Sequence, residues 1–179
     1  MRKLIESTLV SLDGVIGDPQ AWANEYFDEE ATALAQQQLL ASDAMLMGRR
    51  TYEIFAATWP AYTSDYADRM NNILKYVFSS TLDAAEWTNS VIIGGHPAEA
   101  VAELKQQGDG DLVMYGHGPL GQALLERHLL DELRLWIHPL LVGRGTLLFR
   151  EGASAALNLA ATQTLTSGVA ILTYQPART

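Results

Sequence analysis

The chain has 179 residues, of which 48% are hydrophobic and 18% charged, and these proportions are typical of a folded globular protein. Its formal net charge of -9 argues against a broad basic surface for nucleic acid. The absence of cysteine excludes disulfides, cysteine nucleophiles and thiolate metal sites.

The first part of the chain predicts a strand, an irregular stretch and a helix. Residues 4–12 predict a first strand, which is followed by an Asp13-Gly14 turn. Asp28 is well placed to cap a helix that runs to about Ala41. Three aromatic residues of the irregular stretch either close the edge of the core or line a pocket; they are Trp22, Tyr26 and Phe27.

Four later apolar runs are too short for helices and predict buried strands. They cover residues 44–47, 76–78, 91–93 and 111–115. Helical patterns follow three of these runs, from near Arg50 to just before Trp59, from Pro97 to about Gln107, and from Pro119 onward. The polar and aromatic stretch from 62 to 72 predicts a loop that includes a helical turn.

The last third has the alternating pattern of half-exposed strands. Residues 133–138 show this alternation, and residues 157–165 and 169–174 predict a closing hairpin around Ser167-Gly168. Residues 143–145 lie between strands and predict a hairpin connection rather than a phosphate loop. The order of elements predicts a single α/β domain over residues 1–179. It has a mixed, mostly parallel central sheet flanked by helices, and antiparallel strands in its last third.

The segment Gly48-Arg49-Arg50-Thr51 has the pattern of an anion site. It joins a buried strand to the start of a helix, where the first backbone N–H groups lack partners and the helix dipole is positive. Adjacent arginines can hydrogen-bond phosphate oxygens, and in this acidic chain their positive charge is local. The segment therefore predicts the phosphate-holding corner of a nucleotide site, the alternative being a solvated helix start.

Two other predicted strands end in small or polar groups, Ser79-Ser80 and Gly116-His117-Gly118. If these strands run parallel to the one before Gly48, all three groups meet at one edge of the sheet. Glycine allows backbone to approach a pyrophosphate closely, and serine hydroxyls with an arginine suit a ribose 2′-phosphate. Ordinary tight turns are the alternative, and the role of His117 itself stays open.

Seven segments occur in an order that is typical of a known family. They are residues 11–17, 47–53, 77–80, 115–120, 130–135, 138–139 and 143–149. Together they resemble the dihydrofolate reductase-like superfamily and, within it, the reductase domain of riboflavin biosynthesis, the RibD C-terminal domain. The resemblance spans nearly the whole chain and implies a three-layer sandwich. No zinc deaminase part is present, because the chain lacks its cysteines.

The resemblance implies an NADPH site. It assigns the arginines, the threonine and the serine pair to the 2′-phosphate and pyrophosphate, the glycine turn to the pyrophosphate, and two backbone positions to the nicotinamide carboxamide. The cofactor-binding residues that it implies are Leu9, Ile16, Gly48, Arg49, Arg50, Thr51, Ser79, Ser80, Gly116, His117, Gly118 and Leu120.

The substrate is expected across the pocket from the phosphates, near Trp22, Asp28 and Glu29. Asp28 is the candidate proton donor, with Glu29 as a second candidate and water as a third, although helix capping explains Asp28 equally well. Trp22 is expected to form a pocket wall.

We expect an NADPH-dependent reductase that transfers hydride to a C=N or C=O carbon of a small, pterin- or pyrimidine-like substrate. The alternatives are a catalytically weak NADPH- or ligand-binding module, or a site for another phosphorylated metabolite. The four scattered histidines lack metal-ligand spacing, so no metal is expected. Without a signal peptide or a long apolar run, a cytoplasmic location without membrane or nucleic-acid partners is expected. The resemblance implies a homodimer.

Overall fold

The computed structural model describes residues 2–177, which form one eight-stranded sheet with helices on both faces. The strands are β1 (Leu4–Ser11), β2 (Ser42–Gly48), β3 (Leu74–Phe78), β4 (Ser90–Ile93), β5 (Asp111–Tyr115), β6 (Glu132–His138), β7 (Leu157–Thr164) and β8 (Ala170–Pro176). The helices are α1 (Glu29–Leu40), α2 (Arg49–Thr58), α3 (Asp65–Asn72), α4 (Pro97–Leu104) and α5 (Pro119–Glu126). Within residues 2–177, no helix is both long and apolar enough to span a bilayer.

The strand order is β4-β3-β2-β5-β1-β6-β8-β7. The first six strands in this order pair in parallel, and β8 runs antiparallel between β6 and β7. The predicted mixed, mostly parallel sheet with a C-terminal antiparallel hairpin is confirmed.

Three details of the sequence prediction are wrong. Strand β6 is parallel to β1, because the α5 crossover returns the chain to the same end of the sheet. Residues 143–145 do not form a hairpin connection, because β6 pairs with β8 and not with β7. The stretch from 62 to 72 contains a true helix, α3, whose N-terminus the Ser64 side chain caps and which buries Ala67 and Met70.

The sheet separates two apolar layers. On one face, side chains of α4 and α5, including Val101 and Leu124, pack against Leu4, Leu46 and Leu112 of the strands. On the other face, two further clusters join α1, α2 and α3 to the opposite sides of the same strands. This arrangement is a three-layer sandwich, with both faces of the parallel part covered.

The connection from β6 to β7 runs back over the turn that follows β1. Ile16 N–H donates to Thr146 O (2.8 Å), and Leu148 N–H donates to Gly14 O (2.8 Å). Asp13 accepts hydrogen bonds from Ser11 Oγ (2.6 Å) and, across the gap, from the backbone N–H groups of residues 142 and 143 (3.1 and 2.6 Å). These bonds, that from Ser11 first, lower the pKa of Asp13 to about 2. The carboxylate therefore fastens this connection at every pH near neutrality.

We expect Asp13→Ala to loosen the connection, because two backbone N–H groups lose their acceptor. Hydrogen exchange followed by mass spectrometry is expected to show faster exchange over residues 140–148, with α4 unchanged. Asp109→Ala is the control, since Asp109 is an exposed aspartate in the loop before β5. Equal exchange over residues 140–148 in the Asp13 variant and the wild type would contradict this assignment.

Candidate active site: a cleft at the carboxyl ends of the parallel strands

A cleft of about 1160 Å³ opens where β1, β2, β3 and β5 end. This volume exceeds that of most pockets for one small ligand, and it suits a dinucleotide beside a second molecule. As expected, the ends of β2, β3 and β5 lie at one edge of the sheet, because these three strands run parallel. All twelve residues named above for cofactor binding line this cleft: Leu9, Ile16, Gly48, Arg49, Arg50, Thr51, Ser79, Ser80, Gly116, His117, Gly118 and Leu120.

Three helices begin at this cleft without a capping side chain. Gly48, His96 and Gly118 precede α2, α4 and α5, and none of them accepts a side-chain cap bond. By contrast, Asp28 and Ser64 cap α1 and α3. Uncapped first turns leave backbone N–H donors free, and their dipoles add partial positive charge. The edge of the sheet where these helices start is therefore suited to hold anions.

The two arginines at the start of α2 have different surroundings. Arg49 bonds Glu53 Oε1 (2.7 Å) and both oxygens of Thr81 (2.8 and 3.1 Å), so it ties α2 to the turn after β3. Arg50 is exposed, and within residues 2–177 it makes no side-chain hydrogen bond or ion pair. Arg50 is thus the arginine whose guanidinium remains available to a ligand.

The two serines after β3, Ser79 and Ser80, also differ in their surroundings. Ser79 Oγ accepts from the backbone N–H groups of Thr81 (3.2 Å) and Leu82 (3.0 Å), which shapes the turn. Ser80 is exposed and lines the cleft. The hydroxyl of Ser79 therefore has a structural partner, and that of Ser80 faces the open space.

The backbone of Leu9 lies in a gap of the sheet. Lys3 O and Ser7 O accept from residues 112 and 116, so the odd positions of β1 face β5. The pairing ends at Ser7 and Tyr115, and Ser11 N–H already donates to Val15 O. The peptide groups of Leu9 lie between these two points, past the end of β5. Buried backbone groups normally find a partner, so this gap suits a planar amide.

Ile16 lies across this gap. Its N–H is already donated to Thr146 O at 2.8 Å, so only its carbonyl remains to accept from a ligand.

A buried ion pair lies beneath the glycine turn. His117 Nδ1 is 2.5 Å from Glu6 Oε1, with the two side chains 4% and 0% exposed. Burial lowers the pKa of His117, but the hydrogen bond and charge of Glu6 outweigh it, so the pKa is raised overall. Gly121 makes room for this pair, because a Cβ there would overlap Glu6 Oε2. His117 therefore anchors the turn through its side chain, and the turn faces the cleft through its backbone.

The three residues predicted for the substrate lie outside the cleft lining. Asp28 Oδ1 accepts from Ala31 N–H (2.9 Å), so it caps α1, and the Thr166 hydroxyl lies 3.3 Å from Asp28 Oδ2 and 3.0 Å from Glu30 Oε2. Glu29 is exposed in the first turn of α1. Trp22 donates to Gly17 O (2.9 Å) and packs edge-on against the ring of His138, 5.3 Å between centroids.

Other residues line the part of the cleft between α1, α3 and the strand ends, which we name the substrate end. It consists of Ser7, Phe27, Gln38, Tyr66, Tyr115 and Trp136. Of these, only Phe27 was considered from the sequence, as one of the three loop aromatics. The others come from separate elements, and Gln38 lies in a Gln-Gln-Gln run that carries no local signal. Among the described part of the chain, no group of three or more metal-ligating side chains is close enough to hold an ion.

A family model described as "RibD C-terminal domain" matches residues 2–171. The uncharacterized protein YyaP of Bacillus subtilis (strain 168) is 28% identical over 97% of this chain and 94% of its own length. A solved structure named as a riboflavin biosynthesis protein, from Shewanella sp. PV-4, has a TM-score of 0.77 at 22% identity, over 99% of this chain and all of the other.

Dihydrofolate reductase from Enterococcus faecalis, complexed with NADP(H), has a TM-score of 0.69 at 14% identity, over 98% of this chain and 97% of the other. At this level of identity the likeness concerns the fold. The expected dihydrofolate reductase-like fold is confirmed.

The buried pair of Glu6 and His117 predicts that the free energy of unfolding depends on pH. Because the folded-state pKa of His117 is raised, its contribution is fully present below the ordinary value of 6.5. It is lost as the pH rises through the folded-state value. Relative to Glu6→Gln, the wild type is expected to be more stable by about 1.5–3 kcal/mol in mildly acidic buffer, and by less as the pH rises.

Urea unfolding over a pH series measures this difference, with Glu103→Gln as the control, because Glu103 is exposed on α4. Parallel pH curves for the wild type and Glu6→Gln would show that His117 is not stabilised in its charged form.

If Asp28 acts only as a helix cap, its side-chain oxygen contributes to stability and its negative charge does not. Asn caps a helix as well as Asp does, so Asp28→Asn is expected to keep the free energy of unfolding, whereas Asp28→Ala loses about 1 kcal/mol. Urea unfolding measures both variants. An equal loss in the two would mean that the charge of Asp28 has a further role.

Proposed function

The chain belongs to the RibD C-terminal domain family, and we propose that it is an NADPH-dependent reductase. It transfers hydride to a C=N or C=O carbon of a small heterocyclic substrate of the pterin or pyrimidine kind. Relatives in structure include a dihydrofolate reductase complexed with NADP(H) and a "pyrimidine reductase-like protein" from Corynebacterium diphtheriae. Those names support the reaction class and leave the particular substrate open.

The observation that carries the proposal is the set of three uncapped helix starts around one cleft. Each offers free N–H donors to anionic oxygens, and a pyrophosphate with a 2′-phosphate supplies anions at separate points. Arg50 and Ser80, both exposed at neighbouring strand ends, suit the 2′-phosphate. The turn at Gly116 suits the pyrophosphate, because its positive φ of 77° favours glycine and leaves the backbone open.

At the other end of the cofactor, the gap in the sheet suits the nicotinamide carboxamide. The peptide groups of Leu9 offer a donor and an acceptor there, and the carbonyl of Ile16 offers a second acceptor. Bound NADPH would supply the hydride. The contribution of the chain is to hold the reacting partners in contact and to exclude other orientations.

We assign the proton to water that enters the cleft. Asp28 and Glu29 lie outside the lining, and Asp18, exposed on the rim, is the one carboxylate among the described residues that line it. The same observation favours a second candidate function, a module that binds NADPH and turns over weakly. Following NADPH absorbance with a panel of dihydropterins and aminopyrimidines separates the two, because tight nucleotide binding without oxidation favours the module.

The sequence and the resemblance also imply a cellular location and an oligomeric state. The chain is proposed to act as a single cytoplasmic domain and as a homodimer. The outer strand β7 is exposed along nearly its whole length, and its free edge is compatible with a second copy.

The assignment of Arg50 predicts a cofactor preference. We expect the wild type to bind NADPH more tightly than NADH, and Arg50→Ala to weaken NADPH by about tenfold or more with little effect on NADH. Titration followed by tryptophan fluorescence measures both nucleotides. Arg127→Ala is the matched control, since Arg127 is exposed at the far end of α5 and lies outside the cleft lining. Equal affinity of the wild type for NADPH and NADH would overturn the cofactor assignment.

A further inference from the structure

The substrate end of the cleft contains an amide whose orientation is determined by its neighbours. Gln38 on α1 is 7% exposed, and its Oε1 accepts from Arg134 Nη1 at 3.1 Å. A guanidinium can only donate, so the oxygen of the amide must face Arg134 and the nitrogen must face away. Gln38 Nε2 has no hydrogen-bond partner within residues 2–177. A buried donor of this kind is costly unless something accepts from it.

A second unpartnered group lies beside the amide. The hydroxyl of Tyr115, at the end of β5, is buried, and no donor or acceptor among the described residues meets it in hydrogen-bonding geometry; the side chains of Gln38 and Tyr66 are its polar neighbours. Burial, with the nearby Tyr66 hydroxyl, raises the pKa of Tyr115 well above its ordinary value. The hydroxyl is therefore protonated at every physiological pH, and it can donate. Gln38 on α1 and Tyr115 at the end of β5 thus both line the cleft, and each has a donor that no described residue accepts from.

The substrate end is uncharged, whereas the cofactor end is not. Among residues 2–177, the acidic, basic and histidine residues that line the cleft are Asp18, Arg49, Arg50, His117 and Arg150, and none of them belongs to the substrate end. Arg134, which donates to Gln38, also forms an ion pair with Glu132, with 2.6 Å between Nη2 and Oε2. A ligand group with a net charge would find no counter-ion here, and its desolvation would go uncompensated.

The walls of this pocket are flat. Phe27 and Trp136 stack with an interplanar angle of 7° and centroids 6.0 Å apart, and the ring of Tyr115 lies 6.3 Å from that of Phe55. Parallel aromatic faces favour a planar ligand.

We infer that the substrate end takes an uncharged, flat heteroaromatic ring and binds a ring carbonyl oxygen with Gln38 Nε2–H and Tyr115 Oη–H. This inference rests on the proposed function, in which the other end of the cleft holds NADPH. It excludes substrates that carry a phosphate, a carboxylate or a protonated amidine at this position. Gln38 and Tyr115 are then specificity-determining residues, because a site built of unpaired donors rejects ligands that lack the acceptor.

Three pteridines test the inference by calorimetric titration of the protein saturated with NADP⁺, in mildly acidic buffer. Lumazine carries ring carbonyl groups and no charge, 2,4-diaminopteridine has amino groups in their place, and pterin-6-carboxylate adds a negative charge. We expect lumazine to bind most tightly, by about tenfold or more. Binding of either of the other two as tightly as lumazine, or no binding of lumazine, would overturn the inference.

Variants identify the two donors. Gln38→Leu and Tyr115→Phe are each expected to weaken lumazine binding by about tenfold, with NADP⁺ affinity unchanged. Tyr115→Phe removes a single oxygen, so it keeps the test valid if the loss of the Arg134 contact unfolds Gln38→Leu. Gln37→Leu is the matched control, because Gln37 is the exposed neighbour on the same helix. Lumazine affinity that is equal in Tyr115→Phe and the wild type would contradict the role of that hydroxyl.

The nucleotide titration precedes these measurements and separates the two ideas. Failure to bind NADP⁺ or NADPH would overturn the proposed function. The lumazine series on the nucleotide-free protein then still tests the recognition of a neutral carbonyl group.

Discussion

The separation of β1 from β5 is the feature on which the whole site depends. The two strands pair from Leu4 to Ser7 and no further, although β1 continues to Ser11 against β6. Where β5 leaves, the chain turns at Gly116 and enters α5, and the peptide groups of Leu9 lose their strand partner. The crevice formed in this way divides anion-binding backbone on one side from an aromatic pocket on the other. Parallel α/β sheets place their ligands at such points because the strand ends diverge there.

The separation is maintained by a buried charge pair. Glu6 is fully buried in the middle of β1, and its carboxylate reaches across to His117 in the turn after β5. Burying a carboxylate is unfavourable unless a donor meets it, and His117 is that donor. Gly121, in the first turn of α5, leaves the space for both. One ion pair thus joins the central strand, the glycine turn and the helix start that faces the cleft.

Charge is distributed unevenly along the cleft. The chain is acidic overall, with a formal net charge of -9, yet the described cleft lining includes Arg49 and Arg50 at the start of α2 and Arg150 in the connection from β6 to β7. The substrate end offers neutral donors instead. An anionic ligand group therefore finds counter-ions at one end of the cleft, and a neutral acceptor finds neutral donors at the other.

The sequence by itself determined the features that depend on neighbouring residues. Short apolar runs and, in the last third, alternating patterns located the strands, and glycine turns marked several strand ends, because hydrophobic periodicity and turn chemistry are local. The sequence also predicted Asp28 as a helix cap, but it could not choose between this role and that of a proton donor. The contacts of the carboxylate with Ala31 and Thr166 are visible only in the structure.

Tertiary structure alone decided the direction of β6 and the composition of the substrate end. Gln38 is oriented by Arg134, 96 positions away, and meets Tyr115 from a third element. No local pattern encodes which way an amide faces or which side of a strand borders a cavity. Those properties arise only when distant elements pack together, and for this reason the sequence indicated the cleft-lining residues around Gly48, Ser80 and Gly116 but not Gln38 or Tyr115.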